Sequence, residues 1–328
     1  MKASQPQRVE SLTEDIRKLV FEPRTLALFL KHRPAEYSQL CSALDTISDI
    51  ELALEAYART PDPESDGATY LLVYGVLQLL YVEQDAVHSL AKAFRLEHQR
   101  GQLLQEVRDA RNDSTGHPTN STRRGEGRSF NFINRSTMSR GGFELRTMYE
   151  DQREDRVMSI QIPALITKQR EGICQLLETI LAELQRQENE HRMTFRAQRL
   201  QDHVPDVLSY YFEKVFDAIR KGPGYAAFGA GHVRLVQEHI TELTRLMAER
   251  DPAGGYDAVT YELERINYPL EQLLDFFSAD GTGRLTDRDA DIFVWYAKDR
   301  ADTLRSITKE MDTEYATDLP AESPPAHS

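Results

Sequence analysis

The sequence predicts a mainly α fold: a four-helix bundle with a small β-hairpin insertion, followed by a second helical region. Three observations carry that expectation. Apolar residues recur at intervals of three and four over most of the 328 positions, the spacing that lines one face of a helix. Between 129 and 162 the period drops to two, as in strands with one covered face. Helical spacing resumes at Pro163 and persists to 313. These boundaries give a helical domain at 1–195 with the hairpin at 129–162, a second helical domain at 196–315, and a disordered proline-bearing tail at 316–328.

After a short helical start at 11–20, Leu40, Ala43, Leu44, Ile47, Ile50, Leu54 and Tyr57 share one stripe and make 37–58 the first bundle helix. Pro61, Pro63 and Gly67 end it. The second helix, 68–94, is patterned almost without interruption and is expected to be central and buried, and the third, 97–111, ends at Arg111. Residues 119–128 are rich in Ser, Thr, Arg and Gly. Then 129–134 and 143–148 alternate as strands, and 157–162 adds a third short one. Pro163 opens the fourth helix, to 189, with Leu165, Ile166, Ile173, Leu177 and Ile180 on its core face. Further amphipathic helices are expected at 204–220, 231–250, 256–277 and 287–313.

The chemistry concentrates at 111–118, Arg-Asn-Asp-Ser-Thr-Gly-His-Pro. Arg111 continues the stripe of Leu103, Leu104 and Val107, which seats a permanent cation at the edge of a packed face. The residues after it favour local side-chain-to-backbone bonds, and Pro118 biases His117 toward an extended backbone, holding the imidazole back toward the guanidinium. That pair suits cleavage of RNA by its own 2′-hydroxyl. An imidazole can accept and return a proton, while a planar guanidinium matches phosphate oxygens and keeps its charge. No metal or cofactor is required.

On these residues the chain resembles the HEPN superfamily, whose signature is an arginine, a polar residue, and a histidine after four to six intervening positions. Here Asn112 is the polar residue and five positions intervene. The segment 74–87 is similar to the penultimate helix of that bundle, which often carries polar residues facing the motif. The resemblance spans residues 36–195 and leaves the C-terminal third unexplained. It implies a metal-independent ribonuclease with His117 as general base and acid, Arg111 on the scissile phosphate, and Asn112 and Asp85 orienting the site. It also implies a homodimer with a composite site, a role in stress response or phage defence, and room for a regulatory protein partner on the C-terminal helices. The alternative is a non-catalytic module of the same fold that binds nucleotide or protein, with Arg111 paired to an acid such as Asp85.

The formal net charge of −13 argues against coating duplex DNA or anionic membrane by bulk electrostatics. RNA contact must then be local, and Arg108, Arg123, Arg124 and Arg128 form the candidate patch. Cys41 and Cys174 lie far apart, so neither a disulfide framework nor a zinc site is expected. A polar start and no long apolar run predict a cytoplasmic protein without membrane insertion. The loop 278–289 is similar to a degenerate EF-hand loop, with Asp280 and Asp289 as weak candidate cation ligands. Ser278 stands at the first carboxylate position and Asp289 is shorter than the usual glutamate, so a structural turn is the preferred reading.

Overall fold

A computed structural model describes residues 5–97, 99–119, 121–123, 127–151, 153–278 and 285–317. In chain order the elements are α1 (Gln5–Phe21), α2 (Pro23–His32), α3 (Pro34–Arg59), α4 (Asp66–Ala93), α5 (Gln102–Arg111), β1 (Ser121–Arg123), β2 (Gly127–Ile133), β3 (Gly142–Tyr149), β4 (Arg156–Gln161), α6 (Ile162–Phe195), α7 (Val207–Lys221), α8 (Ala226–Arg250), α9 (Asp257–Ser278) and α10 (Asp287–Ala316). The fold is mainly helical with one small antiparallel sheet of order β1-β2-β3-β4. The expected fold class holds. Among the described residues no helix is long and apolar enough to cross a membrane.

The chain forms two compact units, Met1–Phe21 with Arg33–Leu184, and Glu22–His32 with Gln185–Ser328. The sequence places the boundary at 195/196, whereas contacts place it at 184/185 and give α2 to the second unit. The physical reason is local. Lys31 donates to the Gly254 carbonyl at 2.9 Å, and a Cβ at Gly255 would stand 2.1 Å from the Pro23 carbonyl oxygen.

In the first unit, Ile50, Leu54 and Tyr57 of α3, Val73, Val76, Leu77 and Leu80 of α4, and Val107 and Ala110 of α5 pack with Ile162, Leu165 and Ile166 of α6. Phe143, Leu145 and Ile160 bring the inner face of the sheet into the same core. Ser65 caps α4 by accepting from the Ala68 amide. A reciprocal clamp ties the end of α3 to the hairpin. Tyr57 Oη donates to the Arg140 carbonyl at 2.7 Å, while the Arg140 guanidinium donates to the Tyr57 carbonyl at 2.7 Å.

A buried polar network crosses this core. Gln84 Nε2 donates to the Leu104 carbonyl at 3.0 Å and to Gln169 Oε1 at 2.9 Å, and Gln169 Nε2 donates to the Leu80 carbonyl and to Glu83 Oε2. It fixes α5 against α4 and α6 with bonds that an apolar core cannot register.

The second unit has its own core from α7, α8, α9 and α10, including Phe212, Val236, Ile240, Ile266, Leu270, Val294 and Leu304. Arg250 is fully buried there. Its guanidinium meets Asp312 Oδ1 at 3.3 Å, the Phe195 carbonyl at 3.1 Å, the Gln198 carbonyl and the Tyr315 ring. Thr286 and Asp289 form a capping box at the start of α10: Asp289 Oδ2 accepts from the Thr286 amide at 2.9 Å, and Thr286 Oγ1 from the Asp289 amide.

Candidate functional site

The residues 111–118 sit where α5 gives way to a single π-helical turn, Asn112–Gly116. The widening is built by the side chains of the segment. Ser114 Oγ donates to the Ala110 carbonyl at 2.6 Å and Thr115 Oγ1 to the Arg111 carbonyl at 3.0 Å. The His117 amide closes the turn on the Asn112 carbonyl at 2.8 Å, five residues back. Next along the chain, the Pro118 carbonyl accepts from the Asn131 amide at 2.7 Å, which moors the segment to the edge of β2. His117 is thus held on both sides by its backbone while its side chain is exposed.

Arg111 is half-buried. Its Nη1 donates to Asn112 Oδ1 at 3.0 Å and its Nη2 to Gln78 Oε1 at 2.8 Å, and its Cζ lies 4.2 Å from the centroid of the Tyr81 ring. Both hydrogen-bond partners are neutral amides. Among the described residues no ion pair includes Arg111, and its Nε is buried without a hydrogen-bond partner. A Cβ at Gly116 would stand 2.6 Å from Arg111 Nη1. The absence of a side chain at Gly116 therefore lets the turn close over the guanidinium, one residue before His117.

Arg108 shares the Tyr81 ring, 4.0 Å from its centroid, and donates to Asp85 Oδ1 at 2.8 Å. The acid that the sequence associates with the motif thus serves the neighbouring arginine and leaves Arg111 uncompensated. Burial first, and the Arg108 charge second, hold Arg100 below the usual guanidinium range. Asp85 and Asp109 act against that shift, so the charges of Arg100 and Arg108 are met locally while the Arg111 guanidinium keeps only neutral hydrogen-bond partners. A half-buried cation with neutral partners can accept a phosphate oxygen without first breaking an ion pair.

The structure therefore joins Arg111 to Asn112, joins Asp85 to Arg108, and sets His117 directly after the glycine that covers the guanidinium. Arg128 lies on the sheet, 3.9 Å from Glu150. The Arg123 side chain, Arg124 and Asp280 lie outside the described residues, as does the end of the chain from 318. Asp289 is taken up by its capping box, whose bonds to Thr286 hold its carboxyl below the usual range. Gln78, Tyr81 and Gly116 were not foreseen from the sequence. Gln78, Tyr81 and Asp85 do recur at helical spacing along α4, but nothing in that pattern says that this face meets Arg111.

No protein-family model, no curated protein and no solved structure matches this chain.

Proposed function

We propose that the chain is a metal-independent ribonuclease of the HEPN type, acting at Arg111 and His117. The observation that carries the reading is the Arg111 guanidinium, half-buried on Tyr81, bonded to two neutral amides, and one glycine away from an exposed histidine. A guanidinium that served only the fold at this depth would be expected to hold a carboxylate, and the nearest one, Asp85, is engaged by Arg108.

In the proposed reaction the His117 imidazole accepts the proton of an RNA 2′-hydroxyl. The 2′-oxygen attacks the adjacent phosphorus, and Arg111 stabilises charge on the phosphoryl oxygens of the transition state. The 5′-oxygen leaves with a proton returned by an imidazolium. The products are a 2′,3′-cyclic phosphate and a 5′-hydroxyl. Asn112 and Gln78 fix the guanidinium plane, and Arg108 with Asp85 holds Tyr81 beneath it.

The exposed side chains Leu71 and Tyr74 and the open position at Gly75 lie on the same face of α4 as Gln78. This face is where a second copy would bring its own motif in a composite site. The direct test is cleavage of a defined RNA by purified protein in EDTA, with end analysis and sedimentation in parallel. The expected result is metal-free cleavage leaving cyclic phosphate ends, about 100-fold slower in His117→Ala, by a dimer that Leu71→Asp dissociates. Cleavage that needs magnesium, or that survives His117→Ala unchanged, would assign the chemistry elsewhere.

A further inference from the structure

The outer face of the sheet exposes apolar and aromatic side chains. Along β2, Ser129 and Asn131 point inward and are buried, so Arg128, Phe130 and Phe132 occupy the opposite face. The pairing register sets Phe130 opposite Met148, Phe132 opposite Arg146, and Arg146 opposite Val157, which extends that face across three strands. It is open. Phe132 is 53% exposed, Met148 42% and Val157 60%. The Arg128 guanidinium lies 5.4 Å from the centroid of Phe130, so cation and ring already share a position.

An exposed ring, Phe132, with the half-buried Phe130 beside it and Arg128 and Arg146 next to them, matches the chemistry of unpaired bases, which stack on aromatic faces while their phosphates meet guanidinium groups. A position argument joins this face to the candidate site. Asn131, between the two phenylalanines, donates its amide to the Pro118 carbonyl, one residue from His117. We infer that single-stranded RNA lies across the outer face of β2, β3 and β4, stacks a base on Phe132, and passes from there to Arg111 and His117. The choice of RNA rests on the ribonuclease reading; the stacking surface itself does not. Arg146 is paired with Asp155 at 2.7 Å, Arg128 faces Glu150, and Glu144 is exposed on the same side of β3, so the face carries no excess of positive charge. Stacking should therefore contribute more than charge. Binding is expected to weaken only gently with salt, with a logarithmic slope of about −1 to −2.

The test uses the full chain carrying His117→Ala and a fluorescein-labelled polyuridine of about ten nucleotides, followed by fluorescence anisotropy. Phe132→Ala should weaken binding roughly 10-fold. Phe132→Tyr should restore it, and Phe132→Leu should not, because leucine keeps the apolar surface and removes the ring. In the otherwise unaltered enzyme Phe132→Ala should raise KM and leave kcat near its starting value. The inference is overturned by no polyuridine binding, by equal binding of Phe132→Ala, or by full rescue with leucine, which would mark a protein-docking surface. Equal or tighter binding of single-stranded DNA would overturn the assignment to RNA. Failure of each idea is separable. Phe132-dependent binding in a protein that cleaves no RNA would remove the ribonuclease and leave the surface, while His117-dependent cleavage untouched by Phe132→Ala would do the reverse.

Discussion

Arg111 in the first unit and Arg250 in the second are the same side chain in opposite circumstances. Arg250 is sealed from solvent, faces Asp312, and donates to two main-chain carbonyls under the Tyr315 ring. Arg111 is half-buried, donates to Asn112 and Gln78, and meets no carboxylate among the described residues. Both rest near a tyrosine ring, so aromatic contact does not distinguish them. Neutralisation does. A cation whose charge is already met binds chain to chain, whereas one that is positioned but not neutralised retains its attraction for an anion from outside.

The comparison breaks most visibly if the two arginines are removed in turn. Arg250→Ala leaves two carbonyls without their donor and the buried Asp312 with the Leu200 and Gln201 amides but no facing cation, so it should cost about 3–5 kcal/mol and lower Tm by on the order of 10 °C. Cleavage per folded molecule should be unchanged. Arg111→Ala should do the opposite: RNA cleavage about 100-fold slower, roughly 2.7 kcal/mol in the barrier, with Tm within about 4 °C of the parent. Calorimetry and single-turnover cleavage on the same two variants decide it, and similar losses in both measurements for both arginines would erase the distinction.

Gly116→Ala sharpens the comparison at smaller scale. The added methyl meets the end of the Arg111 side chain, which is the group able to move. Displacing the guanidinium by an ångström should slow cleavage about 10-fold while circular dichroism and Tm stay as they were. A large stability loss instead would mean that the π-helical turn is held by packing at Gly116.

Glu83 provides the opposite charge, with an effect on stability alone and none expected on cleavage. Burial first, then the charge of Glu51, push its carboxyl up to about 8, against the bond from Gln169 and the charge of Arg170. Folding therefore favours the protonated form. Its contribution is complete below the ordinary value of 4.5 and is lost as pH rises through about 8. Glu83→Gln, neutral at every pH, should flatten the dependence of Tm on pH across that interval and exceed the parent at its alkaline end. Parallel Tm profiles for parent and variant would show that this carboxyl does not govern the slope.

Much of this arrangement is legible in the sequence because it depends on period. The stripes of α3, α4 and α6, and the alternation of β2 and β3, stand out because each buries one regular face. Two elements are not. α2 is ten residues opening on Pro23, with Leu28 and Leu30 left exposed, so its apolar content does not reveal which face is covered. The turn after α5 is written in helix-ending residues, yet Ser114 and Thr115 bond back to the main chain and extend it. Within the site, Arg111 and Asn112 were legible through their adjacency. Gln78 and Tyr81 were not, because contact between two helices depends on their rotation about one another, which no single stretch of sequence records.

The widened turn after α5 also says something about how such a site is measured. An α-helix advances about 100° per residue, so a regular continuation would carry the position six residues beyond Arg111 well away from its side of the cylinder. The five-residue closure from Asn112 to His117 slows that rotation and lays Gly116 against the guanidinium. The controlling quantity is angular phase. A chain that exchanged this turn for a tighter one, and dropped a residue in doing so, would arrive at the same place. The number of residues between cation and imidazole is therefore free to drift by one, provided the turn drifts with it.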